Sequence, residues 1–147
     1  MQYLLLLANA PDAWPTDENT RSGAIDDAVI DDAVIDDGVI DDWATYTRAL
    51  QEAGVLVGGA ALHGPEAATS VRVRDGRRLL VDGPFTETKE HLIGYYVIDV
   101  PDLDTAIGWA ARVPNARTGT IEVRPVQPGS DTATVLAALA AFAAGPA

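Results

Sequence analysis

A chain of 147 residues with 48% hydrophobic content is the size of one domain and long enough to bury a core. Its net charge of −12 speaks against nucleic acid and against anionic membrane surfaces, both of which need a basic face. The lack of cysteine excludes a disulfide framework and thiolate chemistry, and it fits a cytoplasmic setting.

Gln2 to Ala8 reads as a short apolar strand ended by the turn cluster Asn9, Pro11 and Asp12. The apolar run is too short for a membrane span and has no basic segment before it, so it is not a signal peptide. Residues 11–23 read as loop, followed by a tandem repeat from Ala24 to Asp42. Trp43 to Ala53 is a helix closed by Gly54. Val55 to Leu62 reads as a buried strand in which Gly58 and Gly59 mark a bulge or the close approach of another backbone. Ser70–Arg74 and Arg77–Val81 flank Asp75-Gly76, a strong hairpin signal. Ile93 to Val100 is the next strand, broken by Pro101. Asp102 or Asp104 then caps a helix running to Arg112. Pro114 to Gly119 reads as loop, Thr120 to Val126 as the last strand, and Thr134 to Ala143 as an alanine-rich helix.

This order predicts an α+β fold: a ferredoxin-like β-α-β-β-α-β sheet with both helices on one face and an extra C-terminal helix. The domain would span 1–127 with the repeat inserted at 24–42, and 128–147 would be the C-terminal helix and tail. The other sheet face needs cover, and a homodimer burying sheet against sheet supplies it.

The repeat (AIDD, AVIDD, AVIDD, GVIDD) holds eight of the 22 acids, as pairs at 26/27, 31/32, 36/37 and 41/42. Without them the net charge is −4, so the acidity belongs to one segment. A five-residue step turns 140° on a helix, so Ile25, Ile30, Ile35 and Ile40 make no stripe. Like charges at i,i+4, such as Asp27/Asp31, weaken a helix further. Clustered carboxylates suit hard cations, but the spacing is not that of an EF-hand loop. The segment reads as a solvated extension of the first helix, with the last unit, Asp36 to Asp42, helical and continuous with Trp43.

The most specific residues lie between Val71 and Val100. Asp82-Gly83-Pro84-Phe85 is followed by Thr88-Lys89-Glu90 and by Gly94-Tyr95-Tyr96. On these residues the chain resembles the YCII-related proteins of the DGPF type, over residues 1–8 and 43–127. The resemblance implies a dimeric α+β barrel and an active histidine–aspartate pair, of which Asp82 matches the aspartate. The corresponding stretch of the first helix holds Trp43, Thr45, Tyr46 and Arg48 but no histidine.

Asp82 reads in two ways: as a turn residue bonding its own backbone amides, or as a general acid or base at a strand end. His63 and His91 are the chain's two histidines, and His91, nine residues beyond Asp82, is the better partner for it. Lys89, with Arg72 or Arg74, could hold an anionic group at a pocket mouth, while Glu87, Lys89 and Glu90 also read as a solvated connector. Tyr95 and Tyr96 point to opposite sheet faces, one into a core or interface and the other free to offer its hydroxyl to a ligand. Trp14, Trp43, Phe85 and Trp109 read as packing. No metal-ligand spacing, glycine-rich phosphate loop or Gly-x-Ser-x-Gly occurs, so no metal or cofactor is expected.

Two functions follow from the resemblance. One is a cofactor-free acid/base enzyme on a small molecule, isomerase- or lyase-like, working through Asp82. The alternative is a non-catalytic small-molecule-binding or regulatory protein, since genes of DGPF-type relatives lie near those for extracytoplasmic-function sigma factors. A purely structural domain is a third reading. An enzyme requires Asp82 in a pocket beside a second titratable group. A binder requires an apolar pocket with convergent polar groups.

Overall fold

The computed structural model describes residues 1–10, 37–84 and 88–143, with 37–41 and 141–143 as backbone only. Strands β1 (Gln2–Asn9), β2 (Leu56–Ala61), β5 (His91–Asp99) and β6 (Thr120–Pro125) form one antiparallel sheet in the order β2-β5-β1-β6. Strands β3 (Thr69–Arg74) and β4 (Arg77–Asp82) form a separate two-stranded hairpin. The helices are α1 (Asp37–Glu52), α2 (Leu103–Ala110) and α3 (Thr132–Ala143). This is the ferredoxin-like arrangement, with the hairpin inserted between its second and third sheet strands.

Strand periodicity decides which way the sheet faces. Tyr3, Leu5, Leu7 and Asn9 of β1 are buried, and the residues between them are half-buried. Tyr46 and Leu50 of α1 and Ala106 and Ala110 of α2 share one core with Tyr3, Leu5, Leu7 and Ile98. Both helices therefore cover the same face. On the opposite face Leu4 pairs with Val97 and Leu6 with Tyr95, all four half-buried.

Local chemistry sets the element ends. Gly54 takes φ +67, its N–H donates to the Gln51 carbonyl (2.9 Å), and the Val55 N–H donates to the Leu50 carbonyl (3.1 Å). Two such bonds around a left-handed glycine stop a helix and turn the chain into the next strand. Of the two aspartates considered for α2, Asp102 is the cap, accepting from the Thr105 N–H at 2.8 Å. Asp131 does the same for α3 from the Thr134 N–H at 2.9 Å. Asp75 (φ 51) and Gly76 (φ 70) are both left-handed, the turn that matches the twist of a tight hairpin.

α1 begins at Asp37, so Asp37 to Asp42 are helical and continuous with Trp43, as expected. The loop 11–23 and the repeat units up to Asp36 lie outside the described residues. β2 differs from the expected buried strand: among the described strands only β5 pairs with it, and most of its residues are exposed. Its apolar composition does not reveal that it is an edge, which is a matter of sheet order. Both meanings given to its glycines hold. The register slips between Leu56 and Gly58, and Gly59 lies against the backbone of Tyr95. Pro114 to Arg117, expected as loop, is a short 3-10 turn, as is Pro65 to Ala67. Each carries a proline in its first turn, where the fixed φ suits a helical start. Asn115 in that turn is buried and donates to the Ala8 carbonyl at 3.3 Å, tying the turn to the end of β1.

Candidate functional site

α1 crosses the sheet at its β2 edge. Trp43, Tyr46, Thr47 and Leu50 recur at helical spacing, so one stripe of the helix faces the strands. Tyr46 and Leu50 fill the core, while Trp43 and Thr47 sit nearer the edge. Side-chain bulk is missing where the helix meets β2, because the strand offers Gly59, Ala60 and Ala61. The result is a cleft of about 370 Å³ between α1, β2 and β5. Its remaining lining comes from Leu7, Ile93, Gly94, Tyr95 and Tyr96. That volume falls in the range of small-molecule sites.

The walls are apolar and aromatic, with one polar feature. The Thr47 Oγ1 and Tyr96 Oη lie 2.8 Å apart, and either can donate. Two hydroxyls joined by one hydrogen bond keep one proton and several lone pairs for a third group. Tyr96 is in turn held edge-on by Tyr46, with ring centroids 5.5 Å apart. Tyr46 donates its hydroxyl to the Trp109 carbonyl (3.1 Å) and packs on the Trp109 ring, over which the Arg112 guanidinium sits at 4.3 Å. Burial, with a smaller contribution from Tyr96, raises the Tyr46 pKa above its ordinary value, so this phenol stays protonated. The floor of the cleft is thus braced from behind by a chain of aromatic contacts.

The sequence-derived candidates divide between two places. Tyr95 and Tyr96 border the cleft, and β5 carries them on opposite faces as expected, with Tyr96 towards α1. Asp82 and Arg72 belong to the hairpin and are exposed. Asp82 is the last residue of β4, paired with Thr69. The Gly83 N–H donates to the Ala68 carbonyl and the Ser70 hydroxyl donates to the Gly83 carbonyl, both at 2.7 Å, and these bonds hold the turn after it. No hydrogen bond among the described residues uses the Asp82 carboxylate, while Phe85 and Glu87 lie outside them. Lys89 is exposed in the bend before β5. Glu90 beside it accepts from the Thr120 hydroxyl at 3.1 Å. His91 opens β5 opposite Asn9, half-buried, and His63 is exposed after β2. None of Asp82, His91, Arg72 or Lys89 is among the described residues that line the cleft. Nor do the described residues contain a group of three or more His, Cys, Asp or Glu able to hold a metal ion.

Reading the sequence missed Thr47, Leu7 and Ala61, and took Trp43 as packing alone. A signal existed: Trp43 and Thr47 stand four apart on α1, and the glycine pair of β2 already pointed to close approach at this edge.

Fold and cleft together define a ferredoxin-like α+β domain with a small apolar cleft beneath its first helix. The family model for the YCII-related domain matches residues 1–130, and the chain belongs to that family. It is also similar to the uncharacterized protein R00369 of Rhizobium meliloti (strain 1021), at 44% identity over 81 residues. That match takes in 54% of this chain and 65% of the relative, so it spans less than two thirds of the relative's length. Among the described residues, no helix is long and apolar enough to cross a membrane.

Proposed function

We propose that this protein binds a small molecule in the cleft between α1 and the β2–β5 edge, without chemistry at Asp82. The observation that supports this reading is the lining. Trp43 and Tyr96 border a cleft that holds one paired hydroxyl, and no described lining residue is a carboxylate, an imidazole or a cation. Such a surface suits a flat, largely apolar or aromatic molecule with one acceptor, such as a carbonyl, aimed at Thr47 and Tyr96. Ligand capture without turnover suits a regulatory protein, the role that the family resemblance ties to sigma-factor signalling. The acid/base reading instead needs the exposed Asp82, with His91 as its partner, against a ligand.

The test is a thermal-shift and tryptophan-fluorescence screen of aromatic carbonyl compounds against wild type, Thr47→Val and Asp82→Asn. A hit should stabilise wild type and Asp82→Asn alike and bind Thr47→Val roughly tenfold more weakly, the cost of one hydrogen bond. Trp43→Phe should lose the fluorescence change. A compound that stabilises wild type but not Asp82→Asn, or one that wild type converts and Asp82→Asn does not, would return the chemistry to Asp82 and overturn this reading.

A further inference from the structure

Basic charge is concentrated in the β3–β4 hairpin. Four of the chain's ten basic residues, Arg72, Arg74, Arg77 and Arg78, fall between positions 72 and 78. Against them the hairpin sets Asp75 and Asp82, leaving a net +2. The register puts Arg72, Arg74 and Arg77 on one face of the ribbon, together with Leu79 and Val81. Arg74 stands directly opposite Arg77, and like charges so placed weaken a strand pair. The ion pairs among the described residues are Met1–Asp99 and Arg124–Glu122, so none of the four guanidiniums is neutralised there. Leu79 and Val81 are exposed as well, in a two-stranded ribbon that is marginal by itself in water. A face that is both cationic and apolar fits a partner that is both anionic and apolar.

One segment of this chain has that composition. The repeat alternates Ala-Val-Ile with Asp-Asp, and residues 24–36, the part ahead of α1, carry five aspartates and no basic residue. Chain length allows the contact, because the 26 residues between Ala10 and Asp37 span up to about 90 Å when extended. Exposed ion pairs are individually weak, but a tether presents the segment at an effective concentration on the order of millimolar. We propose that residues 24–36 dock on the Arg72–Arg74–Arg77 face of the hairpin in the same chain. The aspartates lie against the guanidiniums and the Val-Ile steps against Leu79 and Val81. The acidic repeat is then an intramolecular shield that keeps foreign polyanions off the hairpin.

Paramagnetic broadening in the full chain tests this. The chain has no cysteine, so Ile30→Cys accepts a single nitroxide label with every aspartate kept. In isotope-labelled protein at low ionic strength, the label should broaden the amides of β3–β4 more than those of β6. The effect should vanish near 1 M salt, where the screening length is about 3 Å. Arg72→Glu/Arg74→Glu/Arg77→Glu should abolish it. Adding Asp26→Lys, Asp27→Lys, Asp31→Lys and Asp32→Lys to that variant should restore it. All three arginines are exposed, so the hairpin's own chemical-shift pattern should survive their reversal. Hairpin amides untouched by the label, broadening indifferent to salt and charge reversal, or no rescue by the double reversal would each overturn the proposal. Broadening between spin-labelled chains without isotope and isotope-labelled chains without spin label would give the contact to a second copy. Hairpin shifts that move with added polyglutamate while the label has no effect would give it to a separate acidic partner. Either result would also overturn the proposal.

Discussion

Tyr46 joins the core to the cleft through one side chain. Its ring packs on Tyr96 and Trp109, and its hydroxyl is spent on the Trp109 carbonyl. Tyr46→Phe should therefore cost about 1 kcal/mol near neutral pH, read by chemical denaturation. The same substitution changes the alkaline limb. The folded pKa is raised above the ordinary 10.0, chiefly by burial, so above that pH the unfolded chain ionises this phenol while the folded chain keeps its proton. Stability is thus fully present below pH 10.0 and falls as pH rises towards the raised value. The melting temperature of wild type should drop more steeply across this window than that of Tyr46→Phe, and parallel curves would contradict the burial argument. Gly59 gives a second residue-scale test. A Cβ there would lie 2.7 Å from the Tyr95 carbonyl oxygen and 2.8 Å from Tyr96 Cδ1, whereas one at Gly58 meets nothing within 4 Å. Gly59→Ala should cost about 1–3 kcal/mol and weaken any cleft ligand, while Gly58→Ala should be close to neutral in the same denaturation assay.

Elements differ in how firmly they are held. β1 is bonded on both sides, by β5 and by β6, and Leu5 in it is fully buried. Among the described residues, β3 and β4 are bonded as strands only to each other. Amides of β1 should be the slowest to exchange with deuterium and those of β3–β4 the fastest among strand amides, measured in dilute protein. Within α1, Leu50 is fully buried, so Leu50→Ala should cost about 2–5 kcal/mol by the same unfolding assay. These elements were largely legible in the sequence. The Asp75-Gly76 turn, the Gly54 stop and the Asp102 cap each act within a few residues, so local pattern suffices to find them. The burial of β2 was not legible, because an apolar segment reads the same at the centre of a sheet and at its edge.

At the scale of the whole molecule, acidity dominates. With a net charge of −12 and an isoelectric point near 4.2, like-charge repulsion favours solubility at neutral pH and vanishes on acidification. Solubility should pass through a minimum near pH 4.2, followed by turbidity across a pH series, and raised salt should broaden it. Much of that charge comes from the repeat, and the sheet and its core assemble from residues outside it.

Taken alone, the sequence determined the element order, the ferredoxin-like plan and the family, because period-two and helical patterns, turn glycines, caps and the motif at Asp82 are all short-range signals. It drew attention to Asp82 as the place of chemistry, since a compact motif stands out in one dimension. The cleft is assembled from Leu7, Trp43, Thr47, the β2 glycine and alanines, and the β5 tyrosines, positions as far apart as residues 7 and 96. Only the sheet order β2-β5-β1-β6, with α1 laid across its β2 edge, brings them together. The same tertiary step sets the hairpin apart from the sheet and leaves Asp82 exposed at its end, away from the apolar walls. Contacts between distant segments are set by how apolar faces pack, and no local pattern in the chain records that choice.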